Sequence, residues 1–301
     1  MNIQDFKRAT LAQVLQVIQK INRIWSFSYS TTTVLNNFSL KFGNKNSLLT
    51  GLTGFWELDS AAAGSDSHAN RNIAFFGSGA LPIQLGTAVL FTGAGGWLTN
   101  NFTYSLAPNG FTVSTWLNGS PANIGPAVSQ WQTGKGFLIG ISTAPFVNAA
   151  GGSGTGNDII FVLGNDPNYW LTQFPNTGGW NHVVGVYDPV TASARLYING
   201  VLRSTSTGVP ANIPLDGSAT FKLGSIDNGG EFGYTGSVDS TGLWLRPLTE
   251  IEIVDLYNEG NGLTYSSFSA DTTIDNITVD WGDGSSETIS SGQVKSHTYI
   301  A

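Results

Sequence analysis

Apolar and polar residues alternate with period two through most of the chain from residue 51 onward. The clearest examples are FTVSTW at 111–116 and HVVGVYD at 182–188. Such alternation is typical of β-strands that bury one face and expose the other. ARLYINGVLRS at 194–204 adds a hairpin signal, because Asn199-Gly200 supplies the positive φ values of a type I′ turn. The pattern predicts an all-β domain.

The composition fits one large β-domain of many short strands and tight turns. Of 301 residues, 41% are apolar, 38 are Gly and none is Cys. A chain of this length holds one large β-domain with small additions, and its core needs no covalent staple. The lack of Cys excludes disulfides, thiolate zinc sites and a cysteine nucleophile.

Charge is unevenly distributed along the chain. Residues 1–50 contain six Lys or Arg and one acid, whereas residues 51–301 contain seven and nineteen. An acidic β-domain is a poor partner for nucleic acid, whose phosphates require basic side chains. We therefore expect no nucleic-acid partner.

The first 42 residues contain neither Gly nor Pro and form a distinct element. Apolar residues recur there at spacings of three and four, the a/d seam of a short coiled coil. These residues are Leu11, Val14, Ile18, Ile21 and Trp25. The pattern predicts an amphipathic helix that oligomerises, docks on a neighbour or packs back on its own domain. Interspersed Gln and Lys residues argue against a signal peptide and against membrane insertion.

A polar spacer follows the predicted helix. It carries alternating apolar residues, Phe27 with Tyr29 and Phe38 with Leu40 and Phe42. This alternation predicts that parts of the spacer pair as strands.

A second helix is predicted near residue 250. Thr249 and Glu252 have the spacing of a capping box, and Gly260 is placed to end the helix. Its apolar stripe consists of Ile253, Leu256 and Tyr257.

Six segments in a fixed order resemble the laminin-G/concanavalin A-like jelly roll. They are GLTGFWELD (51–59), FTVSTWLNG (111–119), GWNHVVGVYD (179–188), ARLYINGVLRST (194–205), FKLGSI (221–226) and YTGSVDSTGLWLRPLTEIEIVDLYNEGNGLTY (234–265). The resemblance covers roughly residues 48–268. LYNEGNGLTY at 256–265 is similar to the version found in bacteriophage structural proteins. The resemblance implies a jelly-roll sandwich that binds sugars or surfaces.

The C-terminal segment resembles a different family. ITVDWGDGSSETI at 277–289 and the later HTY at 297–299 are similar to the PKD-type immunoglobulin-like repeat. The resemblance implies a partial PKD-like β-hairpin extension, which either joins a neighbouring sheet or belongs to a truncated chain. The predicted organisation is a helix and spacer at 1–47, a sandwich at 48–268 and the β extension at 269–301.

Catalysis is not expected. Some concanavalin-like relatives are glycoside hydrolases with carboxylates in an E-x-D-x-x-E run. Glu57 and Asp59 begin such a run, but Ala62 stands where the third acid belongs.

Calcium is the one metal that the resemblance implies, held by loop oxygens at the rim of the sandwich. No other cofactor is expected. The candidate ligands are Asp59, Asp66, Asp158 and Asp227. Asp and Asn also favour turns, so a structural role stays open for each. For Asp239, we expect a structural hydrogen-bonding role.

Aromatic side chains that stack on sugar rings are the other candidate site. Trp56, Trp116, Trp180 and Trp244 lie within the family segments and are predicted to be core. The remaining candidates, with the turn NDPNYW at 165–170, are Trp97, Trp131, Asn168, Tyr169 and Trp170. Adjacent strand residues point to opposite faces, so at most one of Tyr169 and Trp170 serves as a platform.

These observations predict a non-enzymatic bacteriophage virion protein, a tail fibre or a capsid decoration, that adheres to host-surface glycan. Its expected partners are other virion proteins and its own copies in a homotrimer, on the outer surface of the virion. The alternative is a secreted or surface bacterial carbohydrate-binding module, hence extracellular. A glycoside hydrolase is the least favoured reading.

Overall fold

The computed structural model describes residues 24–29, 37–42, 45–59, 64–76, 83–85, 88–93, 96–106, 109–120, 124–143, 156–213, 219–226, 232–269, 276–280, 286–290 and 294–298. The chain divides into two units. One comprises Met1–Leu49 with Ser266–Ala301, and the other comprises Thr50–Tyr265.

Strands dominate the described residues. In chain order they are β1 (Ile24–Tyr29), β2 (Asn37–Phe42), β3 (Leu52–Trp56), β4 (Ala74–Phe76), β5 (Ile83–Leu85), β6 (Ala88–Thr92), β7 (Trp97–Thr99), β8 (Phe111–Gly119), β9 (Ile124–Gln132), β10 (Lys135–Ser142), β11 (Asp158–Asn165), β12 (Asn168–Pro175), β13 (Asn181–Asp188), β14 (Ser193–Ile198), β15 (Val201–Thr207), β16 (Phe221–Leu223), β17 (Thr235–Trp244), β18 (Asn276–Asp280), β19 (Ser286–Ser290) and β20 (Val294–Thr298). The helices are α1 (Glu250–Tyr257) and α2 (Tyr265–Ser269), with 3-10 turns at Lys45–Leu49 and Asn258–Gly260. No helix in this part of the chain is long and apolar enough to cross a membrane.

Two antiparallel sheets build the larger unit. The seven-stranded sheet has the spatial order β12-β11-β10-β9-β16-β7-β4. The eight-stranded sheet has the order β15-β14-β13-β8-β17-β6-β5, with β3 also paired to β17. This arrangement confirms the predicted all-β sandwich, and the Asn199-Gly200 hairpin joins β14 to β15 with φ values of 52° and 76°.

Aromatic rings from both sheets meet in the core. The Phe111 ring centroid lies 5.0 Å from that of Phe137 and 6.2 Å from that of Phe161. Trp56 stacks on Phe221 at 4.8 Å. Trp56 and Trp244 are fully buried, as predicted. Full burial of a side chain such as Phe contributes about 1.5–3 kcal/mol, so these contacts hold the two sheets together.

The period-two pattern of β8 decides what the eight-stranded sheet offers to solvent. Its core residues are Phe111, Val113 and Leu117. The intervening residues project from the outer face, and they are Thr112, Ser114, Trp116 and Asn118.

Helix α1 begins as predicted and ends earlier. The Thr249 side chain accepts a hydrogen bond from the Glu252 N–H, and the Glu252 carboxylate accepts from the Thr249 N–H, which completes the capping box. Glu252 also pairs with Arg246 at 2.6 Å. The C-cap is Asn258, with φ 46° and ψ 52°, so the predicted stop at Gly260 is two residues too late. Asn adopts this left-handed conformation more readily than most residues, so the helix needs no Gly to end.

The smaller unit contains a three-stranded sheet in the order β1-β2-β20 and the pair β18-β19. The strands predicted in the spacer are confirmed as β1 and β2. Trp25 lies in β1, so the prediction that the helix runs through Trp25 is wrong: β1 pairs with β2 here. The other seam residues, at 11, 14, 18 and 21, and the turn at 281–284 lie outside the described residues.

Candidate functional site

A pocket of about 500 Å³ opens on the outer face of the eight-stranded sheet. We call it the outer pocket. Strands β8 and β17 supply its floor, the segment after α1 supplies a wall, and Trp180 stands before β13. Its lining residues are Ala88, Trp116, Asn118, Trp180, Ser237, Asp239, Ser240, Gly260, Asn261, Gly262 and Leu263.

The register between β8 and β17 places the polar groups of the floor. Asp239 lies opposite Trp116, and Ser237 lies opposite Asn118. Their neighbours Val238 and Leu117 belong to the core. Because side chains alternate between faces, these four residues share the outer face. A register shift after Asp239 then changes the pairing.

The wall closes tightly on the floor. The Asn258 amide donates a hydrogen bond to the Gly262 carbonyl at 2.7 Å, which curls the chain back after α1. Gly262 has φ +67°, and a Cβ there would lie 3.1 Å from Nε1 of Trp116. A residue without a side chain therefore lets the wall reach the indole.

Two rings fix the orientation of Trp116. The centroid of its ring lies 5.2 Å from His182 and 5.9 Å from Tyr257, and His182 lies 6.1 Å from Tyr257. Nε2 of His182 is 2.8 Å from Oγ of Ser114. Burial lowers the pKa of His182 to about 3, so its imidazole is neutral at physiological pH.

Trp180 is 42% exposed, which corrects its predicted place in the core. It follows Gly178 and Gly179, both with positive φ, and precedes the first residue of β13. The chain is therefore still turning at Trp180, and the alternation of β13 does not apply to it. Trp116 is half-buried and also lies outside the core, because its neighbour Leu117 takes the inward position.

Asp239 is the carboxylate of the outer pocket. It accepts a hydrogen bond from the Ser240 hydroxyl at 3.2 Å. Burial raises the pKa of Asp239 to about 7, and the negative charges of Asp59 and Glu57 add to that increase. Burial and Glu57 likewise raise the pKa of Asp59. The expected structural hydrogen bond is thus present, but the residue also faces the pocket.

The predicted glycan platform lies on the other sheet. Trp131 pairs with Gly136, Gly136 with Gly164, and Gly164 with Tyr169, so four strands contribute one residue each to a single row. We call these four residues the aromatic row. The two aromatic side chains lean toward each other over the two glycines. Their centroids are 5.9 Å apart at an interplanar angle of 19°.

The aromatic row packs against protein on several sides. Trp131 and Tyr169 rest on a small apolar cluster of Leu138, Ile160, Val162, Leu171 and Ile226. The Tyr169 hydroxyl donates to Oδ1 of Asp166 at 3.2 Å. A Cβ at Gly164 would lie 2.3 Å from the Trp131 ring. The two rings therefore complete a secondary core.

The other predicted platform residues do not join this row. Trp170 packs against the main core on the opposite face from Tyr169, as the alternation of β12 requires. Asn168 is exposed at the start of β12. Trp97 lies on β7 and is 7% exposed, so the stacking role predicted for it is wrong: its ring is buried.

The candidate calcium ligands are scattered. Asp66 uses both oxygens to accept four backbone N–H groups, those of Phe55, His68, Ala69 and Arg71, at 2.9 to 3.1 Å. This pattern organises the 66–71 turn. Asp158 is buried on β11, Asp59 is exposed, and Asp227 lies outside the described residues. In the described ranges, no group of three acidic, His or Cys side chains could hold a metal ion, and the calcium site stays a prediction.

Glu57, the first acid of the hydrolase-like run, has hydrogen-bond partners on both oxygens. Oε1 accepts from the Tyr265 N–H at 2.8 Å, and Oε2 accepts from the Ser67 hydroxyl at 2.9 Å. It is not among the residues that line the outer pocket.

Comparison with known families decides what this fold is. The model of the concanavalin A-like lectin/glucanases superfamily matches residues 91–254, more than half of the chain. The chain belongs to this superfamily. The lectin-like domain thus includes β8 through β17 and most of α1. No curated protein matches the chain.

Solved structures show the same fold at low identity. Domain 4 of an extracellular GH43 arabinanase from Geobacillus stearothermophilus, in complex with arabinotriose, has a TM-score of 0.50 and 19% identity, covering 68% of this chain and 97% of that domain. The binding domain of botulinum neurotoxin DC in complex with SialylT has a TM-score of 0.52 and 16% identity, covering 78% of this chain and 55% of that one. The serotype D binding domain gives 0.52 and 15%, with 72% and 53% covered. The chain spans about half the length of the neurotoxin binding domains, and identities this low show a shared fold alone.

Proposed function

We propose that the chain is a non-catalytic carbohydrate-binding module whose ligand occupies the outer pocket. The observation that carries this proposal is the meeting of two indoles with amide and carboxyl side chains in one pocket. The indoles belong to Trp116 and Trp180, and the polar groups belong to Asn118, Asp239 and Asn261.

The chemistry of a sugar fits this lining. A pyranose or furanose ring has C–H faces that stack on an indole and hydroxyl groups that bond to amides and carboxyls. Small-ligand pockets commonly measure about 300–1,000 Å³ and combine aromatic walls with a few placed polar groups. At about 500 Å³, the outer pocket has room for a short saccharide.

The comparisons support the same class of ligand. The arabinanase domain is in complex with arabinotriose, a saccharide, and nearly all of that domain is covered by the match. The superfamily description also names lectins. Residue-level correspondence is not implied at this identity, so the outer pocket rests on its own geometry.

A non-catalytic role is supported by the placement of the carboxylates. Glycoside hydrolysis generally needs two of them, roughly 5–9.5 Å apart across the scissile bond. Asp239 is the one carboxylate among the described residues that line the outer pocket.

One observation favours hydrolysis as a second candidate. The pKa of Asp239, raised to about 7, is that of a general acid, and two further carboxylates influence it. Reducing-sugar release from a polysaccharide panel tests this candidate. Activity that disappears in Asp239→Asn would establish it, and saccharide binding without product would exclude it.

Calorimetric titration of the full-length chain tests the binding proposal, with a panel of soluble oligosaccharides that includes arabinotriose. We expect Trp180→Ala to weaken the binding of any positive saccharide at least about tenfold, since a stacked aromatic commonly carries about 1–3 kcal/mol. Phe102→Ala is the matched control, because Phe102 is 49% exposed and lies outside the pocket. Equal loss in both variants, or in neither, would overturn the proposal.

The biological setting is a separate proposal. The comparisons favour a secreted or surface-bound module over a virion protein, and an extracellular location goes with it. The virion setting is supported by the LYNEGNGLTY segment, whose residues 260–263 form the wall of the outer pocket. Light scattering on the full-length chain tests it: a trimer supports the rest of the predicted seam, at residues 11–21, and a monomer supports the free-standing module.

A further inference from the structure

The outer pocket is acidic. Among the described residues that line it, Asp239 is the charged one, and none is Lys, Arg or His. Two more carboxylates stand behind Asp239. The Ser240 N–H donates to the Glu57 carbonyl at 3.4 Å, which brings the segment of Glu57 and Asp59 beside the middle of β17.

Arginines on the neighbouring elements are engaged elsewhere. Arg246 is paired with Glu252. Arg71 donates to the Thr53 carbonyl and lies 5.4 Å from the ring centroid of Tyr104. The ionised groups that act on Asp239 are therefore Asp59 and Glu57, both negative.

From this arrangement we infer that the outer pocket selects a sugar bearing a free ammonium group, an amino sugar, over neutral and anionic sugars. The inference rests on the proposed carbohydrate-binding function and specifies its ligand. In the complex, Asp239 pairs with the ammonium group while the sugar ring lies against Trp180 or Trp116.

Electrostatics favours this class of ligand for two reasons. A cation beside Asp239 compensates the repulsion from Asp59 and Glu57, whereas a uronic or sialic acid adds a further negative charge. Indole faces attract cations as well, so both kinds of lining group contribute. A neutral sugar gains neither the ion pair with Asp239 nor the attraction between a cation and an indole face.

The pH dependence follows from the same groups. The pKa of Asp239 is about 7. Ammonium binding requires both the ionised carboxylate and the protonated amine, so it strengthens as the pH rises toward 7 and weakens again once the amine loses its proton. In the described part of the chain, other titratable groups beside the pocket are Asp59 and Glu57 behind it, neutral His182 beyond Trp116, the phenol of Tyr257 stacked on Trp116, and exposed Glu259 after α1. The affinity for a neutral sugar is not expected to follow this pH dependence, because it forms no ion pair with Asp239.

Three β-1,4-linked trisaccharides test the inference on the full-length chain. One is built of glucosamine, one of N-acetylglucosamine and one of glucose. We expect the glucosamine trisaccharide to bind at least about tenfold more tightly than the other two near pH 7, the strength of a hydrogen bond to a charged group. Asp239→Asn should remove that preference and its pH dependence. Glu259→Gln removes one exposed negative charge near the pocket and controls for general attraction to an acidic protein; we expect less than about a twofold change.

The outcomes separate the two proposals. Neutral trisaccharides that bind as well as glucosamine, with Trp180→Ala weakening all of them, would overturn the amino-sugar inference and leave the proposed function standing. A preference that falls equally in Asp239→Asn and Glu259→Gln would also overturn the inference, because it would reflect net charge alone. Failure of the folded chain to bind any saccharide in this set or in the wider panel would overturn the proposed function itself.

Discussion

The outer pocket and the aromatic row both have aromatic residues on the outer side of a sheet, yet they differ in what the rings contact. In the aromatic row, Trp131 and Tyr169 stack on each other and on two glycines. In the outer pocket, Trp116 is held by His182 and Tyr257, while Trp180 stays 42% exposed beside an open volume. An exposed aromatic beside unfilled space marks a binding site better than aromatic content does.

The largest expected effect is a loss of stability caused by a substitution in the aromatic row, which should leave the outer pocket unaffected. Gly164→Ala places a Cβ 2.3 Å from the Trp131 ring and 2.5 Å from the Gly134 carbonyl oxygen. We expect it to lower the free energy of unfolding by about 2–3 kcal/mol, the upper part of the range for overpacking, without changing saccharide affinity. Denaturant unfolding measures this. Gly125→Ala is the control in the same sheet, since its Cβ would meet no atom closer than 3.4 Å. Equal stability of the two variants would show that the row is not tightly packed.

The pH dependence of stability sharpens the description of the outer pocket. The pKa of His182 falls from 6.5 unfolded to about 3 folded, so its contribution is complete above about 6.5 and is lost as pH decreases toward 3. The pKa of Asp239 is raised from 3.8 to about 7, so its contribution has the opposite sign: complete below 3.8 and lost as pH rises through 7.

Urea unfolding between about pH 4.5 and 7.5 can separate these contributions with two variants. Both variants are compared with the unmodified chain at each pH. As the pH falls, the difference in unfolding free energy between His182→Gln and the unmodified chain should shrink, because only the unmodified chain loses the contribution of His182. Over the same change, Asp239→Asn should become less stable than the unmodified chain, which regains the contribution of Asp239. His68→Gln serves as the control for His182. Parallel curves for all four proteins would contradict the burial assigned to the two groups.

A smaller effect concerns affinity alone. Trp180→Ala should reduce saccharide binding by at least about tenfold, or 1.4 kcal/mol, while the free energy of unfolding changes by less than about 0.5 kcal/mol, as for a typical surface residue. Trp131→Ala should show the reverse, a loss of stability with unchanged affinity. Calorimetry paired with thermal unfolding distinguishes the two patterns.

The smallest effect lies within the aromatic row. Tyr169→Phe removes the partly exposed hydrogen bond to Asp166. Because solvent competes for such a bond, we expect a cost below about 1 kcal/mol and no change in binding. A much larger cost would mean that the hydroxyl, and not the stacking, holds the row together.

Local features of the sequence predicted local features of the structure. The Thr249–Glu252 capping box and the Asn199-Gly200 turn involve residues a few positions apart, and both are present. The alternation of FTVSTWLNG assigns Trp116 to the same face as Thr112, Ser114 and Asn118. This alternation indicates that Trp116 faces outward, which the resemblance of the segment to the family does not.

The outer pocket could not be assembled from the sequence because its parts are distant along the chain. It requires Asp239 opposite Trp116, more than a hundred residues away, and a wall from the segment after α1. The aromatic row has the same character, since Trp131 and Tyr169 meet only through the pairing of four strands. Strand register, which is set by packing across the whole sandwich, decides both.

A crystal structure of the full-length chain with a bound trisaccharide, chosen by calorimetry, would locate the saccharide site. We predict sugar density in the outer pocket, with a ring against Trp180 or Trp116 and a polar group within hydrogen-bond distance of Asp239. Density on Trp131 and Tyr169, with an empty outer pocket, would contradict it.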